Sequence, residues 1–178
     1  MEHEIIDKLD VVERQIKESV QLFFEGRDLV VIHTIIASAH QILFDVGKLS
    51  EIESAIKNIK SLSQAEVREF LKTVNYPYNF FKHADKDPEG KIDIGPLSRL
   101  AQDFIMDAIV MLQILKGTIP FQAKVFWFWF VSKYPEEFSN LPKDGEIATM
   151  QEANFAALDF EEIALFLKCG EALEGDGT

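Results

Sequence analysis

The run Leu29-Val-Val-Ile-His-Thr-Ile-Ile-Ala-Ser-Ala-His-Gln-Ile-Leu-Phe-Asp-Val46 decides the fold. It is apolar on every side at helical spacing, and a helix of that kind has to be surrounded by other elements. Asp28 stands where an N-cap belongs, and Gly47 follows where a helix ends. From Leu29 to Phe44 the run holds no charged side chain, but those sixteen residues include His33, His40 and Gln41. They fall short of the ~20 apolar residues of a membrane span, so the run reads as a buried central helix and no membrane contact is expected.

Working outward, Ile5, Leu9, Val12, Ile16, Val20 and Phe23 recur at spacings of three and four between charged and amide residues. That stripe predicts an amphipathic helix over 4–24, ended by Gly26. Downstream, Ser50/Glu53, Ser63/Glu66, Thr149/Glu152 and Asp159/Glu162 have the spacing of capping boxes. They predict helices near 51–60, 64–75, 150–157 and 160–169. Leu100, Phe104, Ala108, Met111 and Leu115 share a face of a helix over 97–116, and Pro120 opens another that runs to about 134. Pro77, Pro88 and Pro96 bracket the least regular segment. No sustained two-residue alternation occurs, so the chain reads as all-α: a single-domain helical bundle of about seven helices over 1–170, followed by an acidic, frayed tail over 171–178.

Charge narrows the function. The net charge is −12, and residues 135–178 hold eleven acids against two lysines. An acidic protein repels polyanions at long range, which argues against a general nucleic-acid-coating role and directs attention to a protein partner on the acidic C-terminal third. The lone Cys169 forms no internal bridge, and the N-terminus carries no basic and apolar leader, so a reducing, cytoplasmic setting is expected. The dinucleotide and phosphate-loop glycine patterns are both absent, and no cofactor is expected.

Chemistry-bearing residues concentrate in Tyr78-Asn-Phe-Phe-Lys-His-Ala-Asp85. Asn79 and His83, four apart, share a helix face; histidine suits acid–base work near neutral pH, and Lys82 supplies a cation for a developing anion. The same letters also suit a helix C-terminus, where Lys and His complement the dipole. The segment resembles the active-site helix of HEPN-domain proteins, small helical bundles whose signature is an arginine, a polar residue and a histidine. The resemblance implies a dimeric RNA-cleaving site or an inactive binding module. Asn79 and His83 match the polar and histidine positions, whereas position 78 is Tyr rather than the motif arginine.

Residues 85–96 imitate a calcium loop, with Asp85, Asp87 and Glu89 at positions one, three and five and Gly90 at six, but Pro96 replaces the closing glutamate. An acidic surface turn explains them. His33 and His40 lie two turns apart, about 10.5 Å along the axis, and neither has another ligand type three or four residues away. They are expected as core histidines bonded within or beside the core, for example to hydroxyls of neighbouring helices, rather than as metal ligands. Finally, seven of the twenty aromatics fall within 121–134. That helix is either a core helix or, through Phe126, Trp127, Trp129 and Phe130, the face of a homodimer.

The chain is thus expected to be a non-catalytic interaction or regulatory module acting through a protein partner or as a homodimer. The alternatives are a metal-independent ribonuclease with His83 as acid–base group, Asn79 as orienting group and Lys82 as phosphate cation, and a metal-dependent hydrolase using His33, His40, His83 and Asp85.

Overall fold

The computed structural model describes residues 4–57, 62–138 and 155–175. Among them are six helices and no strand: α1 Lys8–Phe24, α2 Leu29–Gly47, α3 Gln64–Lys82, α4 Leu97–Lys116, α5 Phe121–Lys133 and α6 Phe160–Gly175. The predicted helix near 150–157 falls largely outside the described residues, which show only a 3-10 turn at Phe155–Ala157.

The fold is all-α and α2 is its centre, wedged between α1 and α4. Asp28 caps it through the N–H groups of Val30 and Val31. Ile32, Ile36, Ala39 and Leu43 are at most 1% exposed. The stretch Leu29–Ser50 is long and apolar enough to cross a membrane by length and composition; here α1 and α4 pack along it and bury its two histidines. Opposite it, α4 contributes Phe104, Ile105, Ile109, Met111 and Leu112, and Gly117 ends it in a left-handed conformation at φ 77°. A second cluster joins α1, α5 and α6, where Phe23, Phe24, Phe126, Trp129 and Phe160 meet mostly edge to face.

Four boundaries differ from the sequence reading: α6 runs on to Gly175, past the expected end near 169 and into the stretch read as a frayed tail, and three others differ for a local reason. First, α1 begins at Lys8, because Asp7 and Asp10 cap each other's backbone N–H groups; Ile5 lies outside the helix and is 95% exposed. Second, no helix opens at Ser50. Lys48–Ser50 forms a 3-10 turn, Glu51 takes φ 56°, and Ile52 N–H returns to the Gly47 carbonyl at 2.9 Å. Residues 52–54 then run irregularly into a turn at 55–57. Third, α3 does not stop near 75 but continues through Pro77 to Lys82. Pro77 only removes one N–H from a helix whose outer side is exposed. The boxes Ser63/Glu66 and Asp159/Glu162 both form.

α3 is the least anchored helix. It leans chiefly on α2, and of its nineteen residues only Val74 is buried.

Candidate functional site

The most developed polar constellation lies where the irregular segment 51–57 crosses α2 and α4. Asp107, on α4, is 5% exposed and flanked by Met106 and Ala108, both buried. Its Oδ2 accepts from His40 Nε2 at 2.6 Å and from Ser54 Oγ at 2.5 Å; its Oδ1 accepts from Ala55 N–H at 2.9 Å. Ser54 Oγ in turn accepts from Lys57 N–H at 2.9 Å, and Lys57 Nζ donates to Gln41 Oε1 at 2.8 Å.

Burial works to raise the Asp107 carboxyl, but the hydrogen bonds from His40, Ser54 and Ala55 outweigh it and hold its pKa below the usual carboxylate value. For His40, burial lowers the pKa more than Asp107 raises it. An ionised Asp107 beside a neutral His40 fixes the tautomer with hydrogen on Nε2. His40 Nδ1 is buried without a hydrogen-bond partner among the described residues.

Serine, histidine and aspartate in contact invite comparison with a nucleophilic triad. In a triad the imidazole bridges hydroxyl and carboxylate through its two nitrogens. Here both groups donate to the same carboxylate oxygen, Ser54 Oγ is 3.3 Å from His40 Nε2, and Ser54 and His40 are fully buried. The imidazole does not stand between hydroxyl and carboxylate, and the Ser54 hydroxyl gives its hydrogen bond directly to Asp107. The cluster is a clamp that ties the 51–57 segment to the two central helices.

Of the two histidines expected to bond within the bundle, His40 does so, to the Asp107 carboxylate with the Ser54 hydroxyl 3.3 Å away, whereas neither ring nitrogen of His33 has a partner among the described residues. Sequence reasoning missed Asp107, which sits 67 residues beyond His40 on another helix. The available signal was its charge inside the apolar run Phe104-Ile-Met-Asp-Ala-Ile109. It also missed Lys57, which is 6% exposed.

His33 is fully buried, its ring 5.2 Å from Phe104 and 6.3 Å from Phe81, and neither nitrogen has a partner among the described residues. Burial alone lowers its pKa to about 4. His40 packs against the same Phe104 at 4.7 Å. Among the described residues no group of three or more His, Cys, Asp or Glu is arranged to hold a metal ion.

The segment Asn79–His83 closes α3. His83 is its C-cap, and its N–H bonds the Asn79 carbonyl at 3.1 Å. The His83 side chain is 38% exposed, with Nδ1 3.9 Å from Asp85 Oδ1. Asn79 faces solvent, while the Lys82 ammonium lies 3.9 Å over the Tyr78 ring. The three residues share one helix end, held in place by main-chain bonding. In the neighbouring acidic loop, Asp93 Oδ1 accepts from Gly95 N–H at 2.9 Å.

In α5, Phe126, Trp129 and Phe130 are at most 4% exposed and are consumed by the chain's own core. Trp127 is half-buried, and Phe128 is 37% exposed.

No family model, curated protein or solved structure matches this chain. A groove of about 520 Å³ runs between α3 and the start of α4, walled by Val74, Tyr76, Pro77, Ile94 and Leu100. At one end Arg99 binds Asp103 at 2.8 Å and Glu137 at 2.6 Å and covers the Tyr134 ring. The outer side of α6 exposes Leu165 (64%) and Phe166 (49%) one turn beyond the exposed acids Glu161 and Glu162.

Proposed function

We propose that the chain is a non-catalytic helical interaction module whose docking face is the outer side of α6, and whose partner is a protein segment carrying apolar and basic side chains. The observation that carries this reading is the adjacent exposure of Leu165 and Phe166 on a helix that opens with Asp159, Glu161 and Glu162. Leu165 and Phe166, the latter resting one side of its ring on Phe121 at 5.3 Å, expose large apolar area one turn beyond the acids, the composition of an interface with a charge preference. The acidity of residues 135–178 extends the same preference along the chain. The clamp around Asp107 supports the reading from the other side: the carboxylate accepts from His40, Ser54 and Ala55, and Ser54 and His40 are fully buried.

The test uses the intact protein and a Leu165→Ser/Phe166→Ser variant as baits, followed by reconstitution with whichever purified protein the wild type retains. A binary complex that weakens at high salt and is lost in the variant is expected. Binding untouched by the double substitution overturns this face. A wild-type dimer that the variant converts to monomer in sedimentation identifies a second copy as the occupant. Cleavage of labelled RNA in EDTA by the wild type, absent in His83→Ala, replaces the reading with the ribonuclease one.

A further inference from the structure

A cleft of about 400 Å³ opens where the turn between α1 and α2 meets the start of α4, the end of α5 and the start of α6. Its floor is apolar and aromatic: Phe23, Ile32 and Trp129 are at most 5% exposed, with Phe160 and Tyr134 beside them. Trp129 meets Phe160 at 5.8 Å and Tyr134 at 6.5 Å, both edge to face, so the rings hold one another in place. Small-molecule sites are hollows of roughly 300–1,000 Å³ with such apolar walls and a few converging polar groups.

The polar groups are present too. Gln102 is 7% exposed; its Oε1 accepts from the Tyr134 hydroxyl at 2.7 Å and its Nε2 donates to Ser98 Oγ at 3.3 Å. The second Nε2 hydrogen and the Ser98 hydroxyl hydrogen have no acceptor among the described residues. Two cations, Arg27 and Lys133, line the same cleft, and no acid among the described residues does. Arg27 gives its Nε to Glu25 at 3.0 Å, but Lys168 binds that carboxylate as well at 2.9 Å, and the terminal nitrogens of Arg27 stay open. Lys133 has no hydrogen bond or ion pair among the described residues. The acids next to lining residues in sequence, Asp28 and Asp159, are taken up by the N-terminal caps of α2 and α6.

We propose that this cleft binds a small aromatic carboxylate, its ring against the aromatic floor and its charge met by Lys133 and Arg27, with Gln102 and Ser98 supplying hydrogen-bond donors. The unpaired Lys133 suits a single negative charge better than a dianion. Neither Leu165 nor Phe166 lines the cleft, so the site is separate from the docking face on the outer side of α6.

The test is an NMR titration of the intact, nitrogen-labelled protein with phenylacetate, and with phenylethanol and phenethylammonium as its neutral and cationic counterparts. Expected is a saturable shift of the Trp129 indole N–H signal by phenylacetate, while that of Trp127, which does not line the cleft, stays in place. Phenylethanol is expected to bind roughly fivefold more weakly, as for loss of an exposed ion pair, and phenethylammonium not measurably. The double variant Arg27→Gln/Lys133→Met, at two exposed positions, brings phenylacetate down to the affinity of phenylethanol and removes its salt dependence. Lys124→Met, on the exposed side of α5, and Leu165→Ser/Phe166→Ser leave binding unchanged. Equal affinity for all three compounds, a double variant that binds as the wild type does, or no saturable shift of Trp129 overturns the site.

Discussion

His33 illustrates how one buried side chain sets a pH response. Its pKa is held near 4 by burial, against about 6.5 in an unfolded chain. Between those values the unfolded state binds a proton that the folded state refuses, so stability falls as pH falls through this window. The expected loss between pH 7 and 4.5 is about 2 kcal/mol from this residue alone. His33→Leu removes the titrating group and the two unpartnered nitrogens while keeping the volume. The variant is expected to hold its urea midpoint better than wild type at pH 4.5; parallel pH profiles would assign the acid response elsewhere. Asp107→Asn tests the clamp. An amide cannot accept from His40, Ser54 and Ala55 at once, and one donor is left facing another. The expected cost is ~2–4 kcal/mol in urea unfolding, and an unchanged midpoint would mean that the clamp contributes nothing. At this scale, legibility stopped at the helix boundary. The sequence marked His40 as a bonded core histidine, but its main acceptor, Asp107, came from another helix through packing that no local spacing encodes.

Helices were legible where side-chain chemistry and period agreed. Asp28 and Gly47 bound α2, Leu97–Lys116 forms α4, and Pro120 precedes α5, all as the pattern implies. They were misread where a local signal had a stronger competitor. Ser50/Glu53 has the spacing of a capping box, but the chain spends Ser54 on Asp107 instead and leaves the helical path. Pro77 looked like a boundary, yet a single missing N–H on an exposed turn did not break α3. The aromatic run 126–130 left two readings open because composition does not say which neighbour a ring meets. Trp129 contacts Phe23, Phe24, Phe126, Tyr134 and Phe160 within the chain. Trp129→Lys is therefore expected to unfold the protein rather than release a folded subunit, because it deletes those contacts and buries a charge. Far-UV circular dichroism decides; a folded variant would show that the aromatic cluster is dispensable. For α3, with Val74 alone buried, native-state hydrogen exchange is expected to proceed through local opening well before α2 and α4 exchange. Equal protection across the three helices would make α3 part of the cooperative core.

Taken over the whole molecule, the shifted groups favour the alkaline side of neutrality. His33 and His40 both lie below the ordinary histidine value, so each contributes stability that is full above about pH 6.5 and lost on acidification. Asp107, Asp45 and Glu66 are depressed carboxylates, and their contributions fade at still lower pH. Asp103 opposes them, since burial raises it despite Arg99 and its ionisation costs stability as pH climbs through the carboxylate range. On the other flank, Lys57 binds a proton less readily folded than unfolded between about 8 and 10.5, so stability rises with pH there. Lys116 runs the other way: its raised value, held by Glu13, carries a contribution lost only above the ordinary lysine range. Among the described residues these shifts put the stability maximum at about pH 10, above the pH 5–8 typical of globular proteins. Urea midpoints taken up to and beyond that pH are the measurement. A maximum at or below pH 7 would show that Lys57 is not the desolvated group its surroundings imply.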